Sequence, residues 1–165
     1  MQENADLSIH NVTHWKLEKI KPYALPLTSL IKKFIARFED DISLEDLAKD
    51  IATGKQELWF ILDKKEALKG FLTTQLECTH TGKTRLTLCH LAGEGGVKIA
   101  ALTTIIEQWA QQFGVDEICA IARPGWKREL VKFGYWPEII KYRKEIKDGW
   151  SCRESNREGQ ESTLK

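Results

Sequence analysis

The sequence predicts one α/β domain in which about six strands and four helices follow the order β-α-α-β-β-β-α-β-α-β. Apolar residues change from strand spacing to helical spacing and back along the chain, and glycine or proline separates most of these segments. The chain of 165 residues is 42% apolar and 30% charged, which suits one globular domain with a sizeable core. We assign the domain to residues 1–146 and predict that the polar tail 147–165 is disordered.

The first third of the chain predicts one short strand and two helices. Residues 14–20 alternate apolar and charged side chains, as a short edge strand would. Apolar residues then recur at helical spacing from Pro22 to an acidic break at 39–41. The second helix is short, because a near capping box starts at Ser43 and Gly54 stands where a C-cap belongs.

The middle of the chain predicts a three-strand meander. Residues 58–62 are a continuous apolar run, and residues 67–77 and 85–91 follow after turn sequences. Gly70 interrupts the second strand, which indicates a bulge or a close approach between backbones.

The last part begins with a glycine loop at 93–96 that leads into the clearest helix. This helix has one apolar face over residues 99–113 and stops at Gly114. A strand, a helix and a last strand are predicted after it at residues 117–122, 124–134 and 138–146.

Charge and composition exclude several classes of function. Lys and Arg number 25 against 24 Asp and Glu, so the net charge of +1 favours neither nucleic acid nor an anionic membrane as a partner. The start of the chain lacks a secretion signal, and no apolar run reaches the roughly 20 residues that cross a bilayer. The four cysteines have no metal-binding spacing; Cys78 and Cys89 could face each other across a hairpin, but free thiols are favoured. We therefore expect a cytoplasmic protein without a metal.

The order of the elements resembles that of the GNAT (Gcn5-related N-acetyltransferase) superfamily over residues 12–146. The run "WAQQFGVDEICAIARPGWKRELVKFGYW", followed by "KYRKEI", is similar to the family's helix end, strand, helix, "GF" corner and final strand. The segments "GKQELWFI" and "ARPGWKREL" are most similar to small GNAT-like proteins encoded by tailed bacteriophages. Some of those carry acetyltransferase labels and others carry head-assembly or virion labels.

This resemblance implies a mixed central sheet with helices on both faces, and transfer of an acetyl group from acetyl-CoA to a primary amine on a small molecule or a protein. The alternative is a catalytically degenerate fold that serves as a phage head-assembly, virion or interaction protein. In the family, backbone N–H groups of a glycine loop and of the next helix N-terminus bind the coenzyme A pyrophosphate. The resemblance places cofactor binding at Leu91, Gly93, Gly95, Gly96, Val97 and Lys98. The basic cluster that contains Arg123 and Arg128 suits a coenzyme A phosphate or an acidic partner surface, and a solvated helix face is the alternative.

The sequence departs from the family pattern at this loop. The pattern Arg/Gln-x-x-Gly-x-Gly/Ala, placed on residues 94–99, lacks its arginine and both glycines. Placed on residues 90–95 it keeps the glycines, but His90 replaces Arg/Gln. In both alignments Glu94 brings a carboxylate close to the expected phosphate, and the glycines alone are also compatible with a plain tight turn.

Two residues are candidates for catalysis. His90 lies near the end of the central strand, on the face opposite Leu86 and Leu88, and an imidazole has a suitable pKa for a general base; a histidine that only packs in the sheet is the alternative. Val131 occupies the position where the family often has a tyrosine acid, so Tyr135 is the nearest phenol and the candidate acid. Packing alone is the alternative for Tyr135.

Overall fold

The computed structural model describes residues 7–38, 41–94 and 96–144, with residues 96–98 described for their backbone only. Gly95 and the predicted tail 147–165 lie outside the described residues. Within the described ranges, no helix is long and apolar enough to cross a membrane. No group of three or more His, Cys, Asp or Glu side chains that could hold a metal ion occurs in the same ranges.

The centre of the molecule is a mixed sheet whose spatial order is the same as its chain order. The first four strands run antiparallel to their neighbours, whereas the fifth runs parallel to the fourth. The fold class that the sequence predicts is therefore confirmed. The strands are β1 (Ser8–Asn11), β2 (Glu57–Leu62), β3 (Leu68–Cys78), β4 (Thr84–Gly93) and β5 (Glu117–Ala120).

The helices lie between β1 and β2 and around β5, as the sequence predicts. Ser43 caps the third of them, because its Oγ accepts a hydrogen bond from the Asp46 N–H at 3.1 Å. Single 3₁₀ segments, at Lys21–Tyr23, Gly96–Leu102 and Pro124–Trp126, precede three of the helices. The α-helices are α1 (Leu17–Ile20), α2 (Ala24–Ile35), α3 (Leu44–Ala52), α4 (Thr103–Gln112) and α5 (Lys127–Lys132).

Alternation along the strands divides the core between the two faces of the sheet. On β2, Trp59 and Ile61 pack in the cluster that contains α4, while Phe60 and Leu62 pack in the cluster that contains α2 and α3. Helices therefore cover both faces, as expected. We call these the α4 face and the α2/α3 face.

The strand predicted at residues 14–20 is wrong. The first strand is β1, where His10 pairs with Phe60, and it stops where the Asn11 Oδ1 accepts the Thr13 N–H. The alternation that suggested a strand belongs instead to a turn followed by the short helix α1. The Trp15 ring packs nearly perpendicular to the Phe60 ring, and the Lys19 Nζ lies 3.5 Å from the centroid of the Trp15 ring.

The last predicted strand is also wrong over the part that the structure describes, so the sheet has five strands instead of about six. Residues 138–144 run without strand pairing, and residues 145–146 lie outside the described ranges. Arg143 instead donates two hydrogen bonds to the Asp41 carboxylate, at 2.7 and 2.8 Å, and Lys141 lies 3.5 Å from it. This segment therefore forms an ion pair with the α2–α3 connection, and its described residues are not part of the sheet.

Candidate active site

Strands β4 and β5 are paired over only four residues and then separate. Their register runs from Arg85 opposite Glu117 to Leu88 opposite Ala120. One more hydrogen bond, from the Ile121 N–H to the Leu88 oxygen at 3.0 Å, closes the pairing. Strand β4 then continues along β3, while the chain after β5 turns into α5. Beyond Leu88, the β5 side of β4 has no strand partner among the described residues. We call this unpaired stretch of β4 the opening.

A bulge in β4 determines where His90 lies. Thr73 pairs with His90 and Thr74 pairs with Leu88, so Cys89 is an extra residue without a partner on β3. Strict alternation would place His90 on the α4 face together with Leu88. The bulge moves it to the α2/α3 face, where its ring centroid is 5.6 Å from that of Phe34. His90 therefore lies on the face opposite Leu86 and Leu88 because of the bulge, whereas alternation alone would have placed the three side chains on one face.

His90 is half-buried beside the opening, and its surroundings favour the neutral imidazole. Burial is the largest effect and lowers the pKa of His90, while the Asp50 carboxylate and a backbone hydrogen bond with Cys89 act in the opposite direction. Burial likewise raises the pKa of the Cys89 thiol to about 11. At neutral pH the site therefore holds a neutral imidazole, which can accept a proton, next to a protonated thiol.

Asp50 is a residue that the sequence analysis missed. It lies in the last turn of α3, where its carboxylate accepts hydrogen bonds from the Lys55 ammonium at 3.2 Å and from the Gln56 amide at 3.3 Å. In the sequence it is one of several charges on an amphipathic helix, and nothing in that pattern connects it with His90, forty positions away. Only the packing of α3 in the core of the α2/α3 face reveals the relationship.

The predicted phosphate loop begins with Gly93 and Glu94, which are both in close contact with β3. A Cβ added at Gly93 would lie 2.9 Å from the Lys69 oxygen, so this glycine is needed for contact with β3. The Glu94 N–H donates to that same oxygen at 2.7 Å, and the Glu94 carboxylate lies 3.4 Å from the Lys69 ammonium. The carboxylate that the sequence placed near the phosphate is therefore paired with β3. Gly96, Val97 and Lys98 form the start of the 3₁₀ segment before α4.

Tyr135 lies on the α4 face, across the sheet from His90. Its hydroxyl is buried beside Thr103 and Glu107 of α4, but no described residue makes a hydrogen bond of standard geometry with it. Burial raises the pKa of Tyr135 well above its usual value, with the Glu107 carboxylate acting in the same direction. The phenol is therefore neutral and carries its proton at any physiological pH. The two catalytic candidates therefore lie on opposite faces of the sheet.

The basic residues after β5 surround a shallow pocket of about 530 Å³ at the start of α5. Arg128 lines it together with Lys127, and Arg123 directly precedes it. Arg128 is mostly exposed and lies 3.7 Å from Glu129, whose carboxylate also pairs with Lys132 at 2.7 Å. Of the two predicted arginines, Arg128 therefore lines this pocket, and Arg123 directly precedes its first lining residue, Pro124.

Comparison with known proteins identifies the architecture. The sequence matches no protein-family model and no curated protein. Among solved structures it is similar to an aminoglycoside acetyltransferase from an uncultured soil metagenomic sample, crystallised with trehalose, at 18% identity and a TM-score of 0.58, over 88% of this chain and 100% of that one. The fold is that of the GNAT acetyltransferases.

Two further solved structures agree with this assignment of the fold. Glucosamine-6-phosphate N-acetyltransferase from Arabidopsis thaliana is 10% identical with a TM-score of 0.55, over 86% of this chain and 99% of that one. A transcriptional regulator from Bacillus halodurans C-125 is 14% identical with a TM-score of 0.58, over 85% and 99%. The predicted resemblance is therefore confirmed at the level of the fold. Nothing in the comparisons supports a phage origin or a role in virion assembly.

Proposed function

We propose that this protein is an N-acyltransferase that transfers an acetyl group from acetyl-CoA to a primary amine. The observation that carries the proposal is the separation of β4 and β5 after Leu88, with a half-buried histidine beside the gap. A gap of this kind exposes backbone donors and acceptors in a position where an extended amide-containing chain can pair with them. The likeness of the fold to acetyltransferases supports the same function.

The residues around the opening fit coenzyme A. The free edge of β4 at Cys89, His90 and Leu91 would pair with the two amides of the pantetheine arm. The backbone from Gly93 to Lys98 would face the pyrophosphate, and Arg123 and Arg128 would contact a phosphate, for which guanidinium groups are well suited. Acetyl-CoA itself would supply the acetyl group as an activated thioester.

The chain would contribute proton transfer and orientation to the reaction. Neutral His90 accepts the proton that the attacking amine loses, because its lowered pKa keeps the imidazole unprotonated at pH 7. A free backbone N–H of β4 polarises the acetyl carbonyl. Tyr135, which stays protonated, would donate a proton to the departing sulfur from the other face.

The amine acceptor is proposed only as a class. Two of the similar structures are named for amino sugars or aminoglycosides as acceptors, and we extend this to a small-molecule primary amine for this chain. The non-catalytic alternative, an interaction protein with this fold, predicts that acetyl-CoA does not bind.

Calorimetric titration with acetyl-CoA tests the proposal. We expect a dissociation constant in the micromolar range, about −8 kcal/mol. The double variant Arg123→Glu/Arg128→Glu should weaken binding at least about tenfold, because it places two carboxylates at the pocket. Lys65→Glu/Lys83→Glu, which changes the net charge equally in the two hairpin turns, is the matched control and should bind like the wild type.

Failure of the proposal would be equally clear. If millimolar acetyl-CoA produces neither heat nor a shift in melting temperature, the protein is not an acetyl-CoA-dependent enzyme and the interaction-protein alternative gains support. If binding is confirmed, a screen of primary amines should find turnover that His90→Gln lowers by about a hundredfold.

A further inference from the structure

Two buried polar atoms on the α2/α3 face have no hydrogen-bond partner among the described residues. They are the Thr73 hydroxyl and the Gln56 side-chain carbonyl. Thr73 is 0% exposed and Gln56 is 6% exposed, so neither atom reaches bulk solvent. A buried polar atom without a partner costs about 1–3 kcal/mol, and proteins usually satisfy such groups with an internal water.

The strand register places Thr73 next to His90 on the same face of the sheet, with Gln56 on the far side of Thr73. Thr73 lies directly opposite His90 across β3 and β4, and opposite Leu58 across β2 and β3. Gln56 precedes Leu58 by two residues, so it is on the same face and diagonal to Thr73. Diagonal neighbours of this kind are about 7–8 Å apart at their backbones, a distance that two side chains and one water can bridge.

Gln56 continues this group of polar residues to Asp50. Its side-chain amide donates to the Asp50 carboxylate at 3.3 Å, and its backbone N–H donates to the Asp50 carbonyl at 2.9 Å. The Asp50 side chain is partly exposed and pairs with Lys55, which is more than half exposed. The polar groups therefore extend from the buried strand pair to the protein surface.

We propose that an internal water joins Thr73 Oγ1 and Gln56 Oε1 to the His90 imidazole, so that Thr73, Gln56 and Asp50 are positioning residues for the candidate base. The water would accept from the threonine hydroxyl and from an imidazole N–H, and it would donate to the glutamine carbonyl. It thereby satisfies both buried atoms and solvates the ring. The catalytic meaning of this arrangement rests on the proposed function, but the water site itself does not.

The groups that surround His90 act on its pKa in opposite directions. Asp50 approaches from α3 with Lys55 beyond it, Cys89 is adjacent on β4, and Glu77 of β3 acts on the Cys89 thiol. From α2 the ring meets the uncharged Phe34. Asp50 therefore favours the protonated imidazole and burial disfavours it. A water beside the ring partly solvates the imidazolium, so its removal should lower the pKa of His90 further.

Thr73→Val tests the proposal, since it keeps the shape of the side chain and removes the hydroxyl. The measurement is an NMR titration of the His90 imidazole, assigned by comparison with His90→Gln. We expect the pKa of His90 to fall by about 0.5 unit or more. Thr73→Ser, which retains the hydroxyl, should keep the wild-type value, and Asp50→Asn should also lower the pKa.

Thr74→Val is the matched control. Thr74 is as buried as Thr73, but its hydroxyl accepts a hydrogen bond from the Trp59 indole at 2.9 Å on the α4 face. This variant should lose stability and leave the titration of His90 unchanged. An unchanged pKa of His90 in Thr73→Val overturns the proposal, and a simultaneous gain in stability would show that the hydroxyl has no partner at all.

The titration uses the protein without acetyl-CoA, so it separates the two proposals. A shift in Thr73→Val together with no acetyl-CoA binding would keep the water site and reject the enzyme. Binding and turnover with no shift in the titration would keep the enzyme and reject the water site.

Discussion

Gly70 and Gly93 lie opposite each other on β3 and β4, and a Cβ on Gly93 would be 2.8 Å from the Gly70 Cα. A Cβ on Gly70 would in turn lie 2.7 Å from the Ala92 oxygen. The two backbones approach each other at the end of β4, immediately before the loop toward α4. Both glycines are therefore required for packing, whatever the loop binds.

Gly93→Ala should destabilise the protein by about 1–3 kcal/mol, because backbone atoms of β3 would have to move. Chemical denaturation measures this free energy of unfolding. Gly125→Ala is the control, since nothing lies within 4 Å of the added Cβ, and it should be close to neutral. Equal stability of Gly93→Ala and the wild type would show that the strands can separate at no cost.

The stability of the protein should fall as the pH drops below about 6.5, in part because of His90. Burial lowers the pKa of His90 in the folded state, so the unfolded chain binds the proton first. Between the ordinary pKa and the lowered one, the unfolded state holds more protons and each step down in pH favours unfolding. His90→Gln should show a shallower acid loss in melting experiments, whereas His80→Gln in the β3–β4 turn should match the wild type.

The same pKa should appear in kinetics if the proposed function is correct. The general base acts as neutral imidazole, so kcat/KM should fall on the acid side with an apparent pKa below 6.5. An acid limb that persists unchanged in His90→Gln would show that another group is the base.

Tyr135→Phe should separate stability from catalysis. The variant removes a buried hydroxyl that lacks a partner of standard geometry in the described structure, so the free energy of unfolding should stay constant or rise by about 1 kcal/mol. If Tyr135 donates the proton to the departing sulfur, kcat should fall by about a hundredfold with little change in the KM for acetyl-CoA. Tyr142→Phe, at an exposed position, is the control. Full activity of Tyr135→Phe would reduce Tyr135 to a packing residue.

Ser43→Ala should cost about 1 kcal/mol of unfolding free energy. The Ser43 hydroxyl accepts the Asp46 N–H and also lies 2.7 Å from the Asp46 carboxylate, so the substitution leaves the start of α3 uncapped. Ser29→Ala, the same change at an exposed position inside α2, should be neutral or slightly stabilising because alanine is the better helix former. Denaturation of both variants under one condition gives the comparison.

The prediction from sequence failed where one local pattern was compatible with two different structures. Residues 14–20 alternate like a strand, but in the structure the Trp15 ring packs against the Phe60 ring, and residues 17–20 form the short helix α1. Residues 138–144 alternate as well. In the structure Arg143 pairs with Asp41, and no local pattern can indicate a partner 102 positions away in the chain.

The sequence by itself determined the class of the fold and the order of most elements, because hydrophobic periodicity, the Ser43 cap and the glycine stops act over a few residues. It also indicated His90 and Tyr135 as the groups able to move a proton. Only the tertiary structure decided how these groups lie in space. The bulge at Cys89 set the face of His90, the packing of α3 brought Asp50 toward it, and the separation of β4 from β5 created the opening. These features depend on register and on contacts between distant segments, so they arise only when the whole sheet is assembled.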